Sequence, residues 1–118
     1  MRRYRDLEVW QFSMDLVVDA YRWTESFPRA EQFSLTAQIR RAAVSVPCNI
    51  AEGQGRAQPG EFLNQLSVSR GSLQELETLW ILSERLRFLT AQTADDALAR
   101  CDRISRMLTG LRHSVRNG

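Results

Sequence analysis

Apolar residues recur along this chain every three or four positions, the period of an amphipathic helix, and no segment reads as a strand. The pattern predicts four helices, near residues 7–26, 34–56, 59–89 and 94–115. Each break has a chemical cause. Pro28 cannot continue the first helix, and Ser34 is placed to cap the second. The break after the second helix is marked by GQGRAQPGE, with Gly53 and Gly55 in the last turn of that helix, and Pro59 suits the first turn of the third. Thr93 offers an N-cap for the fourth, with Asp95 and Asp96 favourable to the dipole of its first turn. The connections are short, so consecutive helices should run antiparallel. The expected fold is all-α: one antiparallel up-and-down four-helix bundle over residues 1–118.

The first helix carries two apolar stripes. Leu7, Trp10, Met14, Val17, Tyr21 and Thr24 alternate threes and fours as a heptad seam, and Val9, Phe12, Leu16, Ala20 and Trp23 lie beside them. Together they cover more than half the circumference, whereas one core needs an arc of roughly 100°. The excess predicts burial on two sides, by the bundle and by another subunit.

The second helix has three stripes. Leu35, Ile39, Ala42, Ala43, Val46 and Ile50 form a core seam. Ala37, Val44, Cys48, Ala51 and Gly55 form a line of small residues that admits a close helix. Between them run Gln38, Arg41, Ser45, Asn49, Glu52 and Arg56, a polar line that can bond to Ser69, Ser72 and Glu75 of the third helix and set its register. A ligand site and a solvated face are the alternatives for this line. Pro47 removes the hydrogen bond to the Ala43 carbonyl, so a kink is expected. In the third helix, Phe62, Leu66, Leu73, Leu76 and Trp80 make the seam, and the end LWILSERLRFL is apolar nearly all round. Gly71 costs that helix about 1 kcal/mol, which makes sense if a neighbouring helix approaches closely there. The fourth helix alternates Ala97, Cys101, Ile104, Leu108, Leu111 and Val115.

Composition narrows the function. The 118 residues are enough for one domain, and at this length about 65% of the unfolded surface can be buried without metal or disulfides. Net charge is only +2, but all sixteen cations are Arg, whose fork suits phosphate and carboxylate. The charge is also polarised. Arg100, Arg103, Arg106, Arg112 and Arg116 stand against Asp102 alone from residue 100 onward, and Arg2, Arg3 and Arg5 gather at the other end. Residues 7–27 are net −3. The C-terminal arginines have two readings, compensation of the helix dipole and a phosphate-contacting face for RNA or DNA. No aromatic interleaving favours sequence-specific single-strand reading.

Catalytic chemistry is not indicated. His113 is the one histidine and falls on an expected solvent face among arginines. No phosphate loop, HExxH or nucleophile elbow occurs, and the Glu-x-x-His pairs of di-iron bundles are absent. Cys48 and Cys101 cannot make a zinc site and are expected as buried free thiols. No cofactor or metal is expected. Neither a signal peptide nor a run of about 18 apolar residues is present, so a cytoplasmic location without membrane insertion is the expectation.

The run SLTAQIRRAAVSVPCNIAEGQGR, followed by EFLNQLSVSRGSLQELETL, resembles the bacterial four-helix-bundle family encoded in 23S rRNA intervening sequences, also labelled S23 ribosomal proteins. The resemblance is carried by Gln38, Arg40, Arg41, Ala42, Ser45, Asn49, Ile50, Ala51, Glu52, Gly53, Arg56, Gly71, Ser72, Glu75 and Leu76. Leu7, Val9, Trp10, Phe27 and Pro28 also fit it. The chain is similar, too, to the accessory proteins of diversity-generating retroelements. The resemblance implies a homo-oligomer, a pentameric ring, with no enzymatic activity. Two functions follow as expectations. One is nucleic-acid binding through Arg100, Arg103, Arg106, Arg112 and Arg116. The other is a scaffold that presents a partner protein with interaction surfaces and makes no nucleic-acid contact.

Overall fold

A computed structural model describes residues 3–118; Arg2 of the N-terminal basic cluster lies outside the described residues. Four helices make up the chain: α1 (Glu8–Thr24), α2 (Leu35–Gln54), α3 (Pro59–Arg85) and α4 (Ala91–Asn117). Single 3₁₀ turns at Tyr4–Asp6 and Arg29–Glu31 precede α1 and α2. Each helix packs on its chain neighbours and α4 closes back on α1, so the four axes occupy the corners of a square. The α2–α3 seam is the most extensive and the α1–α4 seam the sparsest.

The core is a column of Leu16, Ile39, Val46, Ile50, Leu66, Leu73, Leu76, Trp80, Ile104 and Leu108, all essentially inaccessible. Burying side chains of this size stabilises by about 1.5–3 kcal/mol each before entropy is counted. Trp80 anchors one end, with Trp23 edge-on to it at 5.4 Å. The Trp80 indole N–H falls short of hydrogen-bond geometry with any acceptor, yet it faces the Cys101 sulfur closely enough to favour the thiolate slightly. Burial, reinforced by the Glu77 carboxylate, outweighs this and pushes the Cys101 thiol up to about 12. Burial also raises Glu77, with Asp102 adding to the rise.

On α1 the core line is Val9, Ser13, Leu16, Ala20 and Thr24. It follows the second predicted stripe, not the heptad seam: Met14 and Tyr21 of that seam are 41% and 43% exposed. Ser13 and Thr24 can face the core because each hydroxyl donates back into its own helix. Ser13 bonds to the Val9 carbonyl at 2.6 Å, and Thr24 to the Ala20 carbonyl at 2.8 Å. Buried Ser83 does the same to the Leu79 carbonyl at 2.7 Å.

Several helix ends differ from expectation. Ser34 makes no side-chain cap; the Glu31 carboxylate accepts from the Leu35 N–H at 3.4 Å instead. Thr90 caps α4 rather than Thr93, its Oγ1 accepting from the Thr93 N–H at 3.1 Å. That bond starts α4 at Ala91, three residues early. α3 ends at Arg85, not 89, because the chain turns left-handed at Arg87, with φ 64°. The Arg87 N–H bonds to the Glu84 carbonyl and the Phe88 N–H to the Ser83 carbonyl, both at 2.9 Å, which completes a Schellman stop. Such stops usually carry glycine, and the arginine hid this one from a reading of residue types. Pro59 does occupy the first turn of α3, and α2 runs on through Pro47.

Candidate interaction surfaces

Three surfaces could meet a partner. The first is the outer face of α1 and α2. Trp10, Met14 and Val17 of α1 and Val44, Pro47, Cys48 and Ala51 of α2 line a groove of about 300 Å³ with almost no polar surface. Large side chains border it on α1, and the small-residue line of α2 forms its other wall. Cys48 is exposed here, contrary to the expectation that it would be buried. Among the described residues, no helix packs over the small line at this groove. Met14, Val18 and Tyr21 extend the apolar surface along α1, and Asp15 flanks it.

The second surface is the polar line of α2. Ser45 and Ser72 share a hydrogen bond at 2.8 Å across the α2–α3 seam. Asn49 Nδ2 donates to the Ser45 carbonyl at 2.8 Å and to its Oγ at 2.9 Å. Buried Ser69 donates to the Val46 carbonyl at 2.9 Å, so a backbone group takes the place of a polar side chain as its partner. Further along, Arg56 pairs with Glu52 at 3.5 Å in the open. Gln38, Arg41 and Glu75 are exposed and take no part. The line is thus a short structural network in its middle and a solvated face at both ends. Gly53 explains how closely the helices meet. A Cβ there would stand 2.8 Å from both Gln65 Cβ and Phe62 Cδ1. Gly71 plays no such role, since its position opens to space with nothing within 4 Å, which corrects the expected close approach.

The third surface is the arginine face of α4, which the fold divides. Arg100 forms an ion pair with Asp19 of α1 and sits over the Trp23 ring. Arg103 lies on the Phe12 ring, its guanidinium carbon 4.1 Å from the centroid. Both guanidinium groups thus engage α1. Arg106 pairs with Asp102 at 2.8 Å but remains largely exposed. Arg112 is half-buried, its Nε without a partner, and Arg116 is exposed. Antiparallel topology brings these last three to the end of the bundle that also holds Arg3 and Arg5.

Sequence reasoning passed over the contacts of Arg40. Arg40 Nε donates to Thr24 Oγ1 at 3.0 Å, and its guanidinium carbon lies 4.4 Å from the Tyr21 ring centre. Among the described residues no cluster could hold a metal ion, and no helix is long and apolar enough to cross a membrane.

No curated protein matches this chain. Among solved structures, a protein with unknown function from the S23 ribosomal protein family of Bacteroides thetaiotaomicron superposes with a TM-score of 0.79. It is 20% identical and covers 88% of this chain and 97% of its own, a likeness that shows the shared four-helix fold. Neither comparison that matches names a catalytic activity. The family model of the 23S rRNA-intervening sequence protein matches residues 5–110, and with that span the chain belongs to this family.

Proposed function

We propose that this protein is a non-catalytic module that assembles with copies of itself through the α1–α2 groove and offers the assembly to a protein partner. The observation that carries the reading is the groove itself: tryptophan, methionine and valines facing small residues, left open by the described residues. A soluble chain rarely leaves such a surface without a use. A second apolar patch supports assembly of unlike faces. Ile81, Leu82 and Leu86 are each more than 40% exposed at the end of α3, beside Arg85 and Arg87. Two different apolar patches favour head-to-tail contacts, which close into rings where the rotation permits. The pentamer implied by family resemblance is the ring that this reading adopts.

Sedimentation of the wild type beside Val44→Glu tests it. The wild type should sediment as a multimer, and the variant as a monomer of unchanged helical content. A wild-type monomer at high concentration overturns the reading.

One observation favours a second reading. Arg3, Arg5, Arg106, Arg112 and Arg116 converge at one end of the bundle, and in a ring that basic end is repeated around the axis. Contact with RNA or DNA phosphates there would weaken steeply with salt. Structured RNA and duplex DNA should then bind at low salt, and Arg106→Gln, Arg112→Gln and Arg116→Gln together should flatten the salt dependence. Absence of binding at low salt leaves the scaffold reading alone.

A further inference from the structure

The turn between α1 and α2 holds an aromatic ring almost entirely in solvent. Phe33 is 88% exposed, and no other large apolar side chain among the described residues reaches 50%. Such a ring costs free energy in water until something covers it. A loose chain is not the cause, because the turn is fixed on both sides. Phe27 before it is buried against the Phe88 ring, and Leu35 after it belongs to the core. Between them the N–H groups of Glu31, Gln32 and Ser34 donate to the carbonyls of Pro28, Arg29 and Glu31 at 2.9, 3.1 and 3.0 Å. Binding through a ring held this way loses little conformational freedom.

Phe33 does not stand alone. The Ser45–Ser72 bond and the bond from Ser69 to the Val46 carbonyl fix the antiparallel register of α2 and α3. Twelve residues back from Ser45 and twelve on from Ser72, that register brings Phe33 level with the stretch 82–86. Leu82 and Leu86, 42% and 48% exposed, belong to that stretch. The apolar patch at the end of α3 thus includes a projecting aromatic ring. Exposed Gln32 and Ser34 flank the ring in the chain and are uncharged, so it can enter an apolar site without taking a charge with it.

The α1–α2 groove is the matching concavity. Its volume is about 300 Å³ with almost no polar surface, whereas an apolar cavity of about 150 Å³ already accepts a benzene ring. Phe33 cannot fill the groove of its own chain. The middle of the groove lies near Pro47, roughly 20 Å away along α2 at about 1.5 Å per residue. An apolar projection and an apolar pocket on different parts of one chain make a head-to-tail contact between copies. The area agrees with a contact built around this ring. Phe33 brings roughly 200 Å², about a quarter of what one side of a stable contact buries. Ile81, Leu82 and Leu86 on one copy, against Met14, Val18 and Tyr21 on the other, are the exposed apolar groups that extend it. Given self-assembly through the groove, on which the inference rests, we propose that the Phe33 ring of one copy seats in the α1–α2 groove of the next. Trp10 and Met14 form one wall of its seat, and Val44 and Cys48 the other.

Sedimentation equilibrium of four samples tests the contact: wild type, Phe33→Ser, Val44→Glu, and the two variants mixed in equal amounts. Phe33→Ser changes an exposed position, so its helical content should match that of the wild type. It should weaken assembly about a hundredfold, the effect of losing a central aromatic anchor. Each variant keeps the half that the other lacks: Phe33→Ser retains the groove, and Val44→Glu retains the ring. One contact therefore remains possible in the mixture, which at high concentration should form a dimer of the two variants and nothing larger. A wild-type multimer that Phe33→Ser leaves unchanged overturns the inference and spares assembly through the groove. Loss of assembly in Phe33→Ser with no dimer in the mixture also overturns it, since the ring then seats outside the groove. A monomeric wild type overturns assembly itself, and this contact with it.

Discussion

On the flank of α2 that meets α3, a glycine and three serine hydroxyls draw two backbones together. On the flank beside α1, tryptophan, methionine and valine border a groove that none of the described residues fills. The polar flank is the closed one and the apolar flank the open one, the reverse of what hydropathy alone suggests. Close approach needs small size and satisfied donors more than it needs apolar character. Ser45, Ser69 and Ser72 meet both needs, each with a partner at 2.8 or 2.9 Å. Trp10 and Met14 meet neither, and they hold the α1 side of the groove away from any backbone of this chain.

The sharpest test of that contrast uses the two thiols. Cys101 lies in the closed core and Cys48 in the groove. Thiolate is the reactive form, and Cys101 is both inaccessible and pushed up to about 12. Against a thiol reagent at pH 8, in the Val44→Glu monomer, Cys48 should react about a thousandfold faster than Cys101, which must wait for opening of the bundle. In the wild-type assembly Cys48 should be protected. Equal rates for Cys48 in the two proteins would break the link between groove and assembly.

The same buried thiol gives a pH signature. Its folded value lies above the ordinary 9.0, so the unfolded chain loses this proton first as pH rises. Stability should therefore be unaffected by this group below pH 9 and fall between pH 9 and 12, by about 1.4 kcal/mol per pH unit at most. Urea unfolding of wild type and Cys101→Ala across that range should show the difference in slope.

A paired substitution compares seam with surface at smaller scale. Gly53→Ala drives a methyl into Gln65 and Phe62, and should cost about 1–2 kcal/mol even after the gain in helix propensity. Gly71→Ala meets open space and should stabilise by about 0.5–1 kcal/mol. Urea melts of both variants check the opposite signs. Destabilisation by Gly71→Ala would mean that another copy of the chain approaches at that point.

The smallest effect lies away from both flanks, at the stop of α3. Arg87 holds a left-handed conformation that glycine adopts without strain. Arg87→Gly should raise stability by about 0.5 kcal/mol, read as a small shift of the urea midpoint. It should leave assembly and thiol rates alone, which makes it a control for the larger changes.

Much of the architecture was legible because it is local. Period, Pro28, Pro59 and short connections place four antiparallel helices before any contact is known. Which stripe of α1 is core was not legible, because two periodic stripes of similar strength compete there. Periodicity cannot choose between them, and Ser13, which belongs to neither, looks polar until its hydroxyl is seen to bond within the helix. The end of α3 was missed for a related reason: Arg87 does a glycine's task. Of the arginines, residue type and charge run were readable, but not which would be engaged by Asp19, Trp23 and Phe12.

Taken alone, the sequence determined the all-helical class, the family and the excess of apolar surface on α1, since each is written in residue type and spacing along one chain. Only the tertiary structure decided which stripe is core, which arginines remain available, and that Cys48 is exposed while Cys101 is buried. Those properties depend on what stands opposite a side chain in space, and the partners come from other helices at distances in sequence that no local pattern encodes.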